Sequence, residues 1–191
     1  RRIQQKHLIL LYPEKRVLGV TIPVAEEAAK LSRFSRVGVI GTKATIESRV
    51  YEKEFKKIKE SIEVYGQACP LLVPLIEEGW IGRPETRMIL KKYLRPLKEK
   101  KIDTLILGCT HYPLLIKEIT GVMGRQVKII NPAIAVAEKL ADYLKRHPEI
   151  ETKLGRNKKR IFLTTDNEKK FKELAQKFLG GKLEEVRRVE I

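Results

Sequence analysis

Asp103-Thr-Leu-Ile-Leu-Gly-Cys-Thr-His-Tyr-Pro113 is the stretch that decides the fold. Residues 104–107 are apolar or β-branched without polar alternation, the pattern of a strand buried on both faces of a parallel sheet. Gly108 permits a sharp turn, and Pro113 followed by Leu114, Leu115 and Ile116 predicts a helix starting within a few residues. Cys109 therefore stands at the carboxyl end of a strand, where open α/β sheets bind ligands. A helix N-terminus beside it offers unpaired N–H groups and partial positive charge, which favour thiolate over thiol. Thr110 adds a hydroxyl, and His111 adds a group that exchanges protons near neutral pH. Taken singly, a Cys in this position is more often a small hydrophobe and a His more often a cap. Chemistry is suggested by their occurring together.

Working outward, residues 16–22, 36–41, 126–130 and 160–164 read as further strands, each followed by a helical pattern. The β-α-β-α order predicts an α/β fold with parallel sheets layered by helices. Thr42 or Thr45 is placed to cap the helix after residues 36–41, and their hydroxyls would face the same crevice as Cys109. That helix carries Ile46, Val50, Tyr51, Phe55, Ile58 and Ile62 at spacings of three and four. Pro70 and Pro74 forbid a regular interior strand or helix across their segment, leaving a shaped loop or short helix. Cys69 in that segment reads as a packing residue. Glu77 and Glu78 read as solvated or capping carboxylates, one of which could orient His111. Pro84 opens a helix that Pro96 should bend or end. Asn131-Pro132 starts another through Leu144, residues 147–159 are a polar loop or crossing, and Asp166 is the expected cap of a helix stopped by Gly180-Gly181. Residues 183–191 are expected to be extended. Residues 1–13 read as the end of a helix, with His7 a surface residue. The chain contains no internal repeat.

The sequence has 191 residues and a formal net charge of +16. That length could bury roughly 70% of the unfolded surface. No run approaches the roughly 18 apolar residues of a membrane span, so no membrane partner and a cytoplasmic location are expected. Two cysteines, Cys69 and Cys109, without a CxxC pair, argue against a disulfide scaffold or a structural zinc site. The positive charge raises a rival reading, a basic nucleic-acid-binding protein. Its clusters lie at 53–59, 91–101 and 155–160, of which the first two are interrupted by Glu and carry helical periodicity, as solvated helix faces do. Aromatics are few and no nucleic-acid-binding signature accompanies the charge, so nucleic acid is the weaker reading. A warm habitat would also explain abundant Lys and Glu with scarce Asn, Gln, Met and Cys.

Gly-Cys-Thr-His-Tyr-Pro resembles the second catalytic motif of the glutamate racemases, cofactor-independent isomerases that make D-glutamate. Residues 37–46, 68–79 and 162–166 resemble that family too, in its order. The resemblance covers roughly the whole chain from Val17 and implies two pseudosymmetric α/β domains, each contributing one cysteine, with no metal or other cofactor. It implies that Cys109 is one base toward L- or D-glutamate, that Thr110, His111, Thr42 and Thr45 bind substrate, and that His111 also tunes the thiol. It argues against Cys69 as the second base, because the family's other thiol lies in a Cys-Asn-Thr motif near the N-terminus. That motif has no counterpart here, so the chain is expected to lack part of the first domain. Residues 16–131 would form the complete domain, with 1–15 and 132–191 as remnants of the other. The implied role is supply of D-glutamate for peptidoglycan, and the missing half would be an obligatory partner. A homodimer is left open, and an aspartate racemase-like isomerase is the nearer alternative. Asn131 stands where the family commonly has Asp, so a carboxylate role there does not carry over.

Overall fold

A computed structural model describes residues 10–13, 17–157, 160–181, 183 and 185–190. It forms two compact units, one within residues 1–146 and the other within 147–191.

The first unit is built on β1 (Arg36–Gly41), whose residues after Arg36 are all buried. β2 (Glu63–Ala68) pairs with it on one side and β3 (Thr104–Leu107) on the other, both parallel. β4 (Lys128–Ile130) pairs in parallel with β3, giving the order β2-β1-β3-β4. β3 is buried at all four positions, as expected of a strand with helices on both faces. Side chains alternate along a strand, so Ile106 faces one layer and Leu105 and Leu107 the other. Ile106 joins a core with Val37, Val39, Ile130 and residues of three helices: α1 (Thr21–Leu31), α3 (Val50–Ile58) and α7 (Pro132–Arg146). Also fully buried are Leu105, Leu107, Leu90 and Leu94 of α5 (Pro84–Glu99), and Ile119 of α6 (Ile116–Met123). Lys98 Nζ of α5 donates to the Val122 carbonyl of α6 at 2.9 Å, satisfying one of the carbonyls a helix end leaves unpaired.

α7, which the resemblance allots to the other domain, packs here on α1. Ala135 lies in the core with Val24, Ala25 and Ala28, and Lys139 Nζ meets Glu26 Oε2 at 2.7 Å. Both partners are about 40% exposed, and such a pair contributes little.

Several local expectations are corrected. The strand read at 16–22 is absent among the described residues there, Arg16 lying outside them. α1 instead begins at Thr21, because Pro23 falls in its first turn, where a missing N–H costs nothing. The single helix expected through Ile62 is broken into α2 (Lys43–Glu47) and α3. Arg49 at the break has φ 49°, and α3 stops at Ile58. Residues 64–68, ahead of the prolines and not read as a strand, form most of the edge strand β2, and the proline segment then forms the short helix α4 (Leu72–Glu77), one of the two expected forms. Pro96 does not end α5, which continues to Glu99, since only one hydrogen bond near its end is forfeited. Of the helix read at 1–13, residues 10 and 11 are helical, while 1–9, His7 included, lie outside the described residues.

In the second unit, α8 (Pro148–Glu151) lies within the segment read as polar loop. β5 (Phe162–Thr164) pairs in parallel with β6 (Val186–Arg188), and α9 (Glu168–Leu179) connects them. Asn167 rather than Asp166 caps α9, accepting from the Lys170 N–H at 3.0 Å. Asp166 Oδ1 instead accepts from the Asn167 N–H. Gly180, at φ 68°, ends the helix as expected.

Among the described residues, no helix is long and apolar enough to cross a membrane.

Candidate active site

The carboxyl ends of β1 and β3 are adjacent, and the candidate residues lie just beyond them. The Gly108 N–H donates to the Ile40 carbonyl at 2.7 Å, carrying the β1–β3 ladder one residue past Leu107. A Cβ at Gly108 would stand 2.8 Å from that carbonyl oxygen and 3.5 Å from Thr45 Cγ2, so only glycine lets β3 run this close to β1. Directly afterwards the Cys109 carbonyl accepts from the Tyr112 N–H at 3.2 Å, and the His111 carbonyl from Leu114 at 3.1 Å. This winds residues 109–115 into a tight turn and the 3₁₀ helix Tyr112–Leu115 that leads into α6.

Within that turn Cys109 Sγ lies 3.9 Å from His111 Nδ1. His111 Nε2 lies 3.2 Å from Glu77 Oε1. Thiol, imidazole and carboxylate thus form one row. If Glu77 accepts from Nε2–H, Nδ1 is left as the acceptor for the Cys109 proton. The His111 and Glu77 side chains are about one-third exposed, open enough to exchange protons with a ligand or solvent. The sequence left Glu77 and Glu78 equivalent. The structure selects Glu77, the last residue of α4, while Glu78 is exposed.

α4 is held by Cys69, whose N–H donates to the Gly41 carbonyl at 2.9 Å. Its own carbonyl accepts from Tyr112 Oη at 2.9 Å and from the Leu72 N–H at 3.2 Å. The fully buried Tyr112 ring therefore ties the turn bearing Cys109 and His111 to the segment that delivers Glu77. Burial raises the Tyr112 phenol above its usual range and keeps it a donor.

Cys69 is fully buried, with Sγ 3.6 Å from the Gln67 carbonyl. Burial pushes its thiol up to about 12, so at neutral pH it is a protonated packing group. Because the folded value is raised, its contribution to stability is intact below the ordinary value of 9.0 and is lost as pH rises from there through about 12. Chemical denaturation across that range should show a steeper loss of stability in the parent than in Cys69→Val. Parallel curves would contradict the assignment.

Thr42 caps α2: its Oγ1 accepts from the Thr45 N–H at 3.3 Å and lies 3.0 Å from Thr45 Oγ1. A Cβ added at Gly41 would sit 3.1 Å from Thr45 Cβ, so α2 rests closely on the strand end. Both hydroxyls lie on the β1 rim, next to the β3 rim that carries Cys109, with Thr110 exposed beside it. Asn131 follows β4, and its Oδ1 accepts from the Ala133 N–H at 3.0 Å at the start of α7.

A parallel α/β crevice holding a thiol, an imidazole and a carboxylate in one row is equipment for acid–base chemistry on a small molecule. The family model described as Asp/Glu/Hydantoin racemase matches residues 13–140, and the chain belongs to that family. Among its relatives, the glutamate racemase of Chlorobaculum parvum is 42% identical over 170 residues, covering 89% of this chain and 62% of that protein. The glutamate racemase of a Thermoanaerobacter species is 44% identical over 167 residues, again covering 62% of its length. The chain therefore spans about three-fifths of the length of these curated relatives. Among solved structures, a Bacillus anthracis glutamate racemase superposes with a TM-score of 0.86 at 34% identity, covering 96% of this chain and 69% of that one. A Francisella tularensis glutamate racemase solved in complex with D-glutamate gives 0.74 at 32% identity, covering 88% and 62%.

Proposed function

We propose that this chain supplies one of the two faces of a glutamate racemase, with Cys109 as the proton-transfer group on its side of the substrate. The observation that carries the reading is the row from Cys109 Sγ through His111 to Glu77 at the carboxyl end of the parallel sheet. His111 Nδ1 takes the thiol proton, leaving a thiolate beside an imidazolium. The thiolate removes the α-proton of glutamate, forming S–H and a carbanion, and an acid on the opposite face returns a proton to invert the centre. The reverse reaction runs the same steps backward, and every proton moves between side chains and substrate, so the scheme calls on no cofactor. Thr110 beside the thiol and Thr42 and Thr45 across the rim are placed to receive the substrate's carboxylates. The glutamate racemase relatives favour glutamate over aspartate.

Inversion needs groups on both faces, and a single thiol reaches one. Cys69, buried and protonated, cannot serve the other. In this reading the second thiol comes from sequence outside these 191 residues, from a domain completed by that sequence. The enzyme so assembled acts in the cytoplasm and feeds D-glutamate to peptidoglycan synthesis.

The immediate test is site-resolved alkylation of the folded chain at neutral pH, followed by mass spectrometry. Cys109 is expected to react well ahead of Cys69. Equal rates, or Cys69 reacting first, would remove the claim that Cys109 is the working thiol.

A further inference from the structure

The two ends of the four-stranded sheet carry very different charge. At the carboxyl ends, where the candidate active site lies, residues 41–45, 68–72, 108–113 and 131–133 contain Lys43 as their one Lys or Arg. At the amino ends, β1 is preceded by Arg33 and begins at Arg36, β2 is preceded by Lys59, β3 by Lys100 and Lys101, and β4 by Arg125. All of these are exposed. An excess of positive charge serving to attract a dicarboxylate would belong at the crevice. More Lys and Arg side chains stand on the opposite rim.

That rim also holds an exposed aromatic side chain on a tethered backbone. Phe34 is 74% exposed, yet its segment is tightly tethered. Asp103 accepts from Ser32 Oγ at 2.7 Å and from the Phe34 N–H. The Asp103 N–H donates to the Arg36 carbonyl at 3.0 Å, and the Glu63 N–H to the Ser35 carbonyl at 2.8 Å. Ser35 adopts φ 57°, in the left-handed region. A tethered backbone presents the ring without the ordering cost of a mobile loop. The same strand ends carry four carboxylates, Glu60, Glu63, Glu99 and Asp103, against the six cations named; Asp103 accepts from these donors, Glu63 from the Tyr65 hydroxyl and Glu99 from Arg95 Nε, so the rim keeps a small net positive charge.

We propose that the amino-end rim is a peripheral docking surface for an anionic lipid bilayer, with Phe34 entering the headgroup region and the surrounding Arg and Lys side chains meeting lipid phosphates. Neighbouring strands lie about 4.8 Å apart, so four strand ends present these cations along a row of about 15 Å, suited to a flat charged interface. An aromatic ring at headgroup level among basic side chains is the arrangement that surface-bound proteins use. Single-stranded nucleic acid fits less well, because it rewards several stacking rings, whereas Tyr65 is covered by the Lys100 ammonium 5.6 Å from its ring centre. Such contact needs no membrane span, and it is independent of the racemase reading, since none of these residues touches the candidate active site.

The test is co-sedimentation of the full chain with vesicles of phosphatidylglycerol and phosphatidylcholine, and with pure phosphatidylcholine, at physiological salt. Binding to the anionic vesicles alone is expected. Phe34→Asp and the double variant Arg33→Glu/Arg36→Glu should each weaken it by about tenfold or more, whereas Lys91→Glu/Lys92→Glu, with the same charge change on exposed α5, should weaken it by less than about threefold. Thermal melts confirm that each variant is folded, and Phe34→Ala replaces Phe34→Asp if the latter is not. No binding to anionic vesicles overturns the proposal. So do equal losses in both double variants, which mark net charge alone, an unchanged Phe34 variant, or tighter binding to a single-stranded RNA oligonucleotide at the same salt.

Discussion

Replacing Cys109 by serine, in a chain extended upstream by a relative's segment bearing the Cys-Asn-Thr motif, is expected to lower glutamate racemisation by at least about 10³-fold, because a positioned proton-transfer group is lost outright. A hydroxyl in that position is far less acidic than a thiol, and His111 at 3.9 Å cannot make up the difference. The fold should survive, since Cys109 is only partly buried and the turn around it is held by backbone hydrogen bonds. The measurement is chiral analysis of glutamate over time, with thermal melts to confirm folding. Retention of more than a few per cent of the parent rate would show that another group carries the proton on this face.

Glu77→Gln is expected to have the next largest effect, a loss of about 10- to 100-fold. Its carboxylate accepts from His111 and so fixes which nitrogen carries the proton, leaving Nδ1 to face the Cys109 thiol. Gln keeps the shape and one acceptor but removes the charge. The loss should therefore fall mainly on kcat, and the rate of Cys109 alkylation at neutral pH should fall with it. Glu78→Gln, one residue away and exposed, is expected to leave both near the parent values. Equal effects from the two substitutions would mean that Glu77 acts only through general surface charge.

The uninterrupted apolar run at 104–107 and the glycine after it carried most of the fold into view, because a strand buried on both faces has few alternatives. The β1 boundaries read from the sequence are those observed, for the same reason. What stayed hidden depended on contacts with other segments. β2 contains Gly66 and Gln67 and sits at the edge of the sheet, so its pattern is weak, and only pairing with β1 makes it a strand. The break at Ser48–Arg49 leaves the spacing of four between Ile46 and Val50, and between Tyr51 and Phe55, intact, and so periodicity could not reveal it. In the candidate site, Cys109, Thr110 and His111 were legible as one unit and a threonine cap was expected at Thr42 or Thr45, of which Thr42 is the one observed. Glu77 was not separable from Glu78, because the choice depends on where a proline-containing helix of one and a half turns ends relative to a turn distant in sequence. Tyr112 read as part of the motif, but nothing local indicated that its hydroxyl reaches Cys69.

The central claim is that this chain carries one face of a two-thiol racemase, and chiral analysis of L-glutamate and D-glutamate incubated with the 191-residue chain and with the upstream-extended chain tests it most directly. The account predicts negligible interconversion by the former and robust, cofactor-independent racemisation by the latter. Robust racemisation by the 191-residue chain alone would contradict it, and would require a second proton-transfer group among these residues.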